Sequence, residues 1–316
     1  MSDWKPVTSR NTADVGAVWY SPSQGLYKRT GGPEVETEGH HQRLLADLGF
    51  PVPRPDEVGF AEEEHYFTEP EVGARSLHEL AVEQAAKGDG RVQDTLIDTA
   101  VRISSTLLRA QAAHPFENTK AGTREWLWRA GFVDEVFSQN PDLDTEEVRG
   151  LLDSAVERLH RLPLCHGHLD YGLPNAFPDS VIDWQHHALA PLGSDVCAML
   201  DIAAFKGGKM GYAFTPEQRS HYLKAMDEVA QECVGMDLSP YQGDFLLAKC
   251  FFFLSRTRPE SGSGPAQHRK WRYRRTLFGM ATGQYAATRE IDTAVFPSLA
   301  EFDRSSKEGT SERPGE

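Results

Sequence analysis

The stretch HGHLDYGLPNAFPDSVIDW, residues 166–184, decides how the chain is read. His166, His168, Asp170 and Asn175 fall within ten positions, and Asp183 follows eight residues later behind the apolar pair Val181-Ile182. One chemistry with such residues is a zinc hydrolase site, in which clustered imidazoles and a carboxylate bind metal. There His166, His168 and Asp170 would be ligands, and a histidine is expected directly after the aspartate. Tyr171 stands at that place. His221 and His268 are available downstream, but their flanks carry a helical pattern, not the strands of such a hydrolase.

The other chemistry is phosphoryl transfer, and it turns on spacing. An aspartate that faces an acceptor hydroxyl and an asparagine that reaches the metal between the phosphates come from one loop, five residues apart; a later aspartate also binds magnesium. Asp170 and Asn175 have that spacing, and Asp183 closes a segment that reads as a short strand delivering a carboxylate at its end. On this reading the motif centres on His168-Leu169-Asp170, with His166 a flanking residue.

The rest of the sequence narrows the class. The chain has 316 residues, 39% of them hydrophobic, and a formal net charge of -14. That charge argues against nucleic acid or an anionic membrane as the main partner and is compatible with a cationic small molecule. The four cysteines, at 165, 197, 233 and 250, form no CxxC pair and read as reduced thiols of a cytoplasmic protein. The first residues carry no apolar run of a signal peptide, and no stretch of about 18 apolar residues suits a membrane span.

Along the chain, VGAVWY (15–20) and LYKR (26–29) flank a turn and predict a hairpin. EVETEGHHQRLLADLGFPVPRP predicts a helix with Leu44, Leu45 and Leu48 on its apolar face, stopped by Gly49 and by the prolines at 51 and 53. Glu38 lies seven residues before Leu45, on the inward face, where a carboxylate needs a cation; Lys28 on a neighbouring strand is a candidate. HYFTEPEVG (65–73) reads as a strand running into a connection. Residues 74–160 and 195–290 read as mainly helical, with CFFFLSR (250–256) a buried helical segment. RTRPESGSGPAQHRKWRYRR (256–275) is basic in an acidic chain and reads as a mobile loop, with contact to an anionic substrate group as its functional reading. The pairs His40-His41 and His186-His187 read as surface residues. DRSSKEGTSERPGE (303–316) reads as a disordered tail.

Taken in order, these segments resemble the aminoglycoside phosphotransferase and choline kinase family. HLDYGLPN resembles its HGD-x4-N loop, VIDW its metal-binding IDW, and APLGSDVCAML its segment ending in a structural aspartate, here Asp195. LYKR supplies Lys28 where the family has its nucleotide lysine, Glu38 falls at that lysine's glutamate partner, and YFTEPEVGARSLHEL resembles the linker between lobes. The chain departs from the pattern at Leu169, which replaces the glycine of HGD. It departs again in RNTADVGAVWY, where Gly16 is the single glycine of the nucleotide loop, and at Pro70, which has no N–H to offer a base.

The resemblance implies an α+β, two-lobed protein-kinase-like fold: a strand-rich N-terminal lobe over 1–72, a mainly helical lobe over 73–302, and the tail. It implies ATP or GTP with Mg2+ as cofactors. Lys28, Glu38, Thr68 and Glu69 would bind nucleotide, Asp170 would be the catalytic base, Asn175 and Asp183 would hold metal, and His168 and Asp195 would support the loop. The partner expected is a hydroxylated small molecule and neither nucleic acid nor membrane, on a monomer or homodimer. An aminoglycoside is the leading acceptor, with Asp201, Asp227, Glu228 and Asp244 as cation contacts; choline, macrolides, sugars and amino-alcohols stay open. A nucleotide-binding module without catalysis is the alternative of another class.

Overall fold

In the computed structural model, which describes residues 3–7, 16–88 and 90–311, the chain opens with an antiparallel sheet. β1 (Lys5–Pro6), β2 (Ala17–Ser21) and β3 (Leu26–Gly31) form a meander, α1 (Pro33–Asp47) crosses, and β4 (Glu57–Ala61) and β5 (Glu64–Pro70) complete the order β1-β2-β3-β5-β4. Most of the segment expected to cradle phosphate, residues 8–15, lies outside the described residues. Gly16 is required for another reason: at φ +80° it approaches β3 so closely that a Cβ would stand 1.9 Å from the Thr30 carbonyl oxygen. Along β3, Lys28 is opposite Thr68 and Arg29 opposite Phe67. Side chains alternate between the faces of a strand, so these two cations point opposite ways.

α1 begins with Pro33 in its first turn, where the missing N–H costs nothing. It ends as expected at Gly49, which takes φ +84° while Phe50 N–H returns to the Leu45 carbonyl at 3.0 Å. The buried face runs Val35, Glu38, Gln42, Leu45, whereas Leu44 is 47% exposed and contributes nothing to the core. Gly39 on that face lets α1 close on the sheet, since a Cβ there would meet Phe67 at 2.9 Å.

The remainder is helical: α2 (Leu77–Lys87), α3 (Asp94–Ala113), α4 (Lys120–Gly131), α5 (Val133–Gln139) and α6 (Glu146–Leu159) precede the strand pair β6 (Leu164–Gly167) and β7 (Ala188–Pro191). Then come α7 (Ile202–Phe205), α8 (Pro216–Val234), α9 (Gln242–Leu254), α10 (Pro265–Thr288) and α11 (Leu299–Ser311). α9 is the core element. Phe245, Leu246, Leu247, Phe251 and Leu254 are all buried, each contributing roughly 1.5–3 kcal/mol of transfer free energy. This is an α+β fold with a strand-rich N-terminal part and a mainly helical remainder, and among the described residues no helix is long and apolar enough to cross a membrane.

Two segments differ from expectation in their extent. The tail does not begin at 303, because α11 runs to Ser311 after the Leu299 N–H bonds to the Gly207 carbonyl at 3.1 Å; residues 312–316 lie outside the described residues. The basic segment 256–275 is loop only to Gly264. Gly264 caps α10 and Pro265 occupies its first turn, so Lys270 and Arg274 sit on a helix.

The lobes are tied close to the decisive stretch. Val181 N–H donates to the Pro51 carbonyl at 2.6 Å. His41 of α1 stacks on His187 at 3.5 Å between ring centroids, so these two histidines are an interlobe contact and not the surface residues expected.

Candidate active site

β6 and β7 pair from Leu164–Pro191 to Gly167–Ala188 and hold residues 168–187 between them. Within that span the chain doubles back over the FPDS turn: Phe177 N–H donates to the Ser180 carbonyl at 2.8 Å and Ile182 N–H to the Asn175 carbonyl at 3.0 Å. This pairing sets Asn175 beside Asp183. Asn175 Nδ2 also donates to the Asp170 carbonyl oxygen at 3.0 Å. Asp170, Asn175 and Asp183 therefore come from one small folded unit, with the Asp170 side chain exposed.

The unit is gripped from below. Asp195 is buried and accepts three hydrogen bonds, from His168 N–H (2.8 Å), Leu169 N–H (3.1 Å) and Gln111 Nε2 (2.8 Å). His168 is fully buried; its Nε2–H donates to the Ile182 carbonyl at 2.8 Å and its ring meets Trp184 edge-on at 4.7 Å. Its other nitrogen has no hydrogen-bond partner, and His168 links the two halves of the stretch through Nε2. Leu169 adopts φ +64°, a left-handed conformation that costs an L-residue about 1–2 kcal/mol and that the glycine of HGD would take freely. Its carbonyl accepts from Lys249 Nζ at 3.2 Å. Lys249, from α9, is half-buried, and desolvation lowers its pKa while the Asp170 and Asp195 carboxylates raise it.

The zinc reading does not survive this geometry. His166 packs among Phe50, Phe116 and His41, His168 faces the Ile182 carbonyl, and Asp170 looks outward. Among the described residues no three His, Cys, Asp or Glu side chains converge as a ligand set.

Across from the loop, β3 and α1 line a cleft of about 460 Å³ whose walls include Glu38, Glu69, Asn175 and Asp183. The cation that meets Glu38 there is Arg29, not Lys28. Arg29 Nη1 is 2.9 Å from Glu38 Oε1 and 3.4 Å from Asp183 Oδ1, and Nη2 donates to Gln185 Oε1 at 2.8 Å. Strand alternation sends Lys28 the other way, where its ammonium rests 4.5 Å above the Tyr66 ring. Burial pushes the Glu38 carboxyl up to about 8, against the pull of Arg29 and with a further push from Asp183. Thr68 also faces away from the cleft, its hydroxyl accepting from Glu57 N–H at 3.2 Å, whereas Glu69 lies on the cleft wall and accepts from Gln42 Nε2 at 2.5 Å. After Pro70, Glu71 N–H is already used by the Gly25 carbonyl at 2.9 Å.

Three of the four carboxylates expected to meet a cationic acceptor are occupied elsewhere. Asp201 bonds Thr293 and Gln242, Asp244 pairs with Arg158 and Tyr285, and Asp227 accepts the Leu238 and Ser239 N–H groups. Glu228 is exposed on α8.

No family model matches the chain, and no curated protein matches it. Solved structures do. A Ralstonia eutropha protein described as a candidate aminoglycoside phosphotransferase aligns over 90% of this chain and 92% of its own, with 14% identity and a TM-score of 0.56. A glucosamine kinase aligns over 91% and 77% (15% identity, TM-score 0.55), and a Plasmodium vivax ethanolamine kinase over 90% and 84% (10% identity, TM-score 0.54). At such identities the likeness speaks for architecture: the chain has the two-lobed fold shared by these small-molecule kinases.

Proposed function

We propose that the protein transfers the γ-phosphoryl group of ATP or GTP to a hydroxyl of a small molecule. The observation that supports this best is the meeting of Asp183 with Arg29, 154 positions apart, at the cleft that also carries Glu38 and Asn175. The donor set suits Mg2+, a hard cation that takes oxygen ligands and keeps several waters. Asn175 gives its Nδ2 to the Asp170 carbonyl, which leaves Oδ1 for a cation, and the Asp183 side chain keeps 33% of its exposure. Magnesium held by Asn175 and Asp183 would draw charge from the phosphates as it builds up.

The chain's own residues do the rest. Arg29, held by Glu38, offers a planar fork of N–H donors to phosphate oxygens. Asp170 orients the acceptor hydroxyl and takes its proton. The acceptor oxygen bonds to the γ-phosphorus as the bond to the diphosphate's bridging oxygen breaks, and nucleoside diphosphate leaves. Since the transition state is loose, positioning and charge neutralisation supply most of the rate. Asp195, His168 and Lys249 serve by fixing the peptide that carries Asp170.

One observation favours a second reading, a nucleotide-binding module without turnover: Arg29 already spans Glu38, Asp183 and Gln185. Nucleotide turnover with Mg2+ over a panel of hydroxylated small molecules separates the two. Turnover that Asp183→Ala abolishes supports the transferase. Tight nucleotide binding with no turnover across the panel supports the module.

A further inference from the structure

Chain continuity leads from the nucleotide cleft into a second cavity. Gln185 lines the first, and the next residue, His186, lines a pocket of about 340 Å³ whose other walls include Lys206, Phe252, Phe253, Lys270 and Arg274. The chain carries 47 acidic residues against 33 basic ones, yet this pocket is basic. Among the described residues Lys206, Lys270 and Arg274 form no ion pair with any carboxylate; Arg256, also on the wall, has Glu135 at 3.5 Å.

Arg274 is the anomaly. It is only 8% exposed, and its buried Nε and Nη1 have no hydrogen-bond partner. A buried guanidinium with unpaired donors costs several kcal/mol unless something completes it. Aromatic faces compensate in part: Phe253 lies 4.9 Å away and Tyr273 5.8 Å, and the Phe253 ring also lies 5.1 Å from the Lys206 ammonium. Two cations therefore share one aromatic ring with no counter-charge between them.

We propose that this pocket is the acceptor site, and that the acceptor carries an anionic oxyacid group, a carboxylate or a phosphate, held by Arg274, Lys206 and Lys270 while its hydroxyl faces Asp170. The electrostatics agree. Burial lowers the Lys206 pKa, and Arg274, Lys270 and Lys209 lower it further, while Asp170 raises it. Lys206 is thus close enough to the proposed base to feel its charge. Burial brings Arg274 down to about 10, still cationic at neutral pH. A fork of guanidinium donors suits a planar carboxylate or a phosphate, and Phe252 and Phe253 offer apolar surface to the carbon frame. A polycationic aminoglycoside would meet repulsion here, and three of the four acidic side chains expected to receive it, Asp201, Asp227 and Asp244, are engaged within the fold.

The inference rests on the transferase reading for the role of Asp170, but binding tests it separately. Calorimetric titrations of the full chain with glycerol 3-phosphate and glycerate distinguish phosphate from carboxylate, and kanamycin and ethanolamine serve as cationic comparators. Either anion should bind wild type, and Arg274→Met should weaken it at least tenfold without changing nucleotide affinity. If Arg274→Met does not fold, Lys206→Met and exposed Lys270→Met carry the same expectation. Anion binding that depends on these residues without any turnover keeps the site and removes the transferase reading. Absence of binding by both anions, binding indifferent to all three variants, or preferential binding of kanamycin overturns the proposal.

Discussion

Arg29 of the N-terminal sheet lies 3.4 Å from Asp183 of the helical lobe, and the same nitrogen lies 2.9 Å from Glu38. One guanidinium thus joins β3, α1 and the 168–184 stretch. Where a lysine would offer a point charge, arginine brings a fork that serves three acceptors at once.

From this follows a prediction for Arg29. Arg29→Met should abolish turnover and weaken nucleotide binding at least tenfold, measured by titration with Mg-nucleotide. Arg29→Lys keeps the charge but cannot reach Glu38 and Gln185 together, so an intermediate loss is expected. Tighter nucleotide binding in Arg29→Lys would show that Arg29 obstructs the cleft.

Asp170 is expected to act on the acceptor and not on the nucleotide. Asp170→Asn should lower kcat by about 10²–10⁴, the usual worth of a positioned base, with nucleotide affinity within twofold of wild type. Wild-type turnover in Asp170→Asn would remove it from the role of base.

Asp195 satisfies two consecutive backbone N–H groups and the Gln111 amide from a buried position. Asp195→Ala leaves those donors unpaired, at about 1–3 kcal/mol for a buried unsatisfied group, so a loss of about 3 kcal/mol or more is expected in urea unfolding. Asp195→Asn, which keeps one acceptor, should lose less. Equal stability of the alanine variant would contradict this account of the loop.

The stacked pair His41–His187 predicts a pH dependence of stability. Burial first, then the neighbouring His187 and His166, depress the His41 pKa to about 3, and His166 and His187 are also lowered, chiefly by burial. The unfolded chain takes up protons near the ordinary value of 6.5 while the folded chain resists until much lower pH. Stability is therefore fully present above about 6.5 and is lost as pH falls towards the folded value. Unfolding midpoints measured from pH 8 to pH 5 should decline, and His41→Phe, which stacks but cannot protonate, should flatten the slope.

How far the sequence revealed this site depended on the kind of information each residue carried. Asp170, Asn175 and Asp183 are fixed by local spacing, and the structure brings them together because the FPDS turn pairs residue 175 with residue 182. Lys28 and Arg29 are adjacent cations that both line the cleft, and only the alternation along β3 decides which of them meets Glu38; the structure gives that pairing to Arg29, one residue after the lysine expected. Gln185 follows the VIDW segment at two-residue spacing from Asp183, a signal available but unused. Lys249, Lys206 and Arg274 have no local motif at all. They reach the loop and its neighbouring pocket through the packing of α9 and α10, which no spacing along the chain encodes. The basic tract near 270 was visible as composition, but its helical form hid behind a Gly/Ser-rich lead-in.

Leu169 repays a mechanical view. Its backbone is turned so that its N–H is held by Asp195 and its carbonyl by Lys249, from opposite sides of the peptide chain. The next residue is Asp170, so the carboxylate proposed as base is mounted on a bracket bolted to the segment after β7 and to α9. A strained leucine does not relax there because both bolts hold it. Any sliding of α9, the same helix that presents Phe252 and Phe253 to the basic pocket, would shift the bracket too, making the filling of that pocket and the aim of Asp170 parts of one lever.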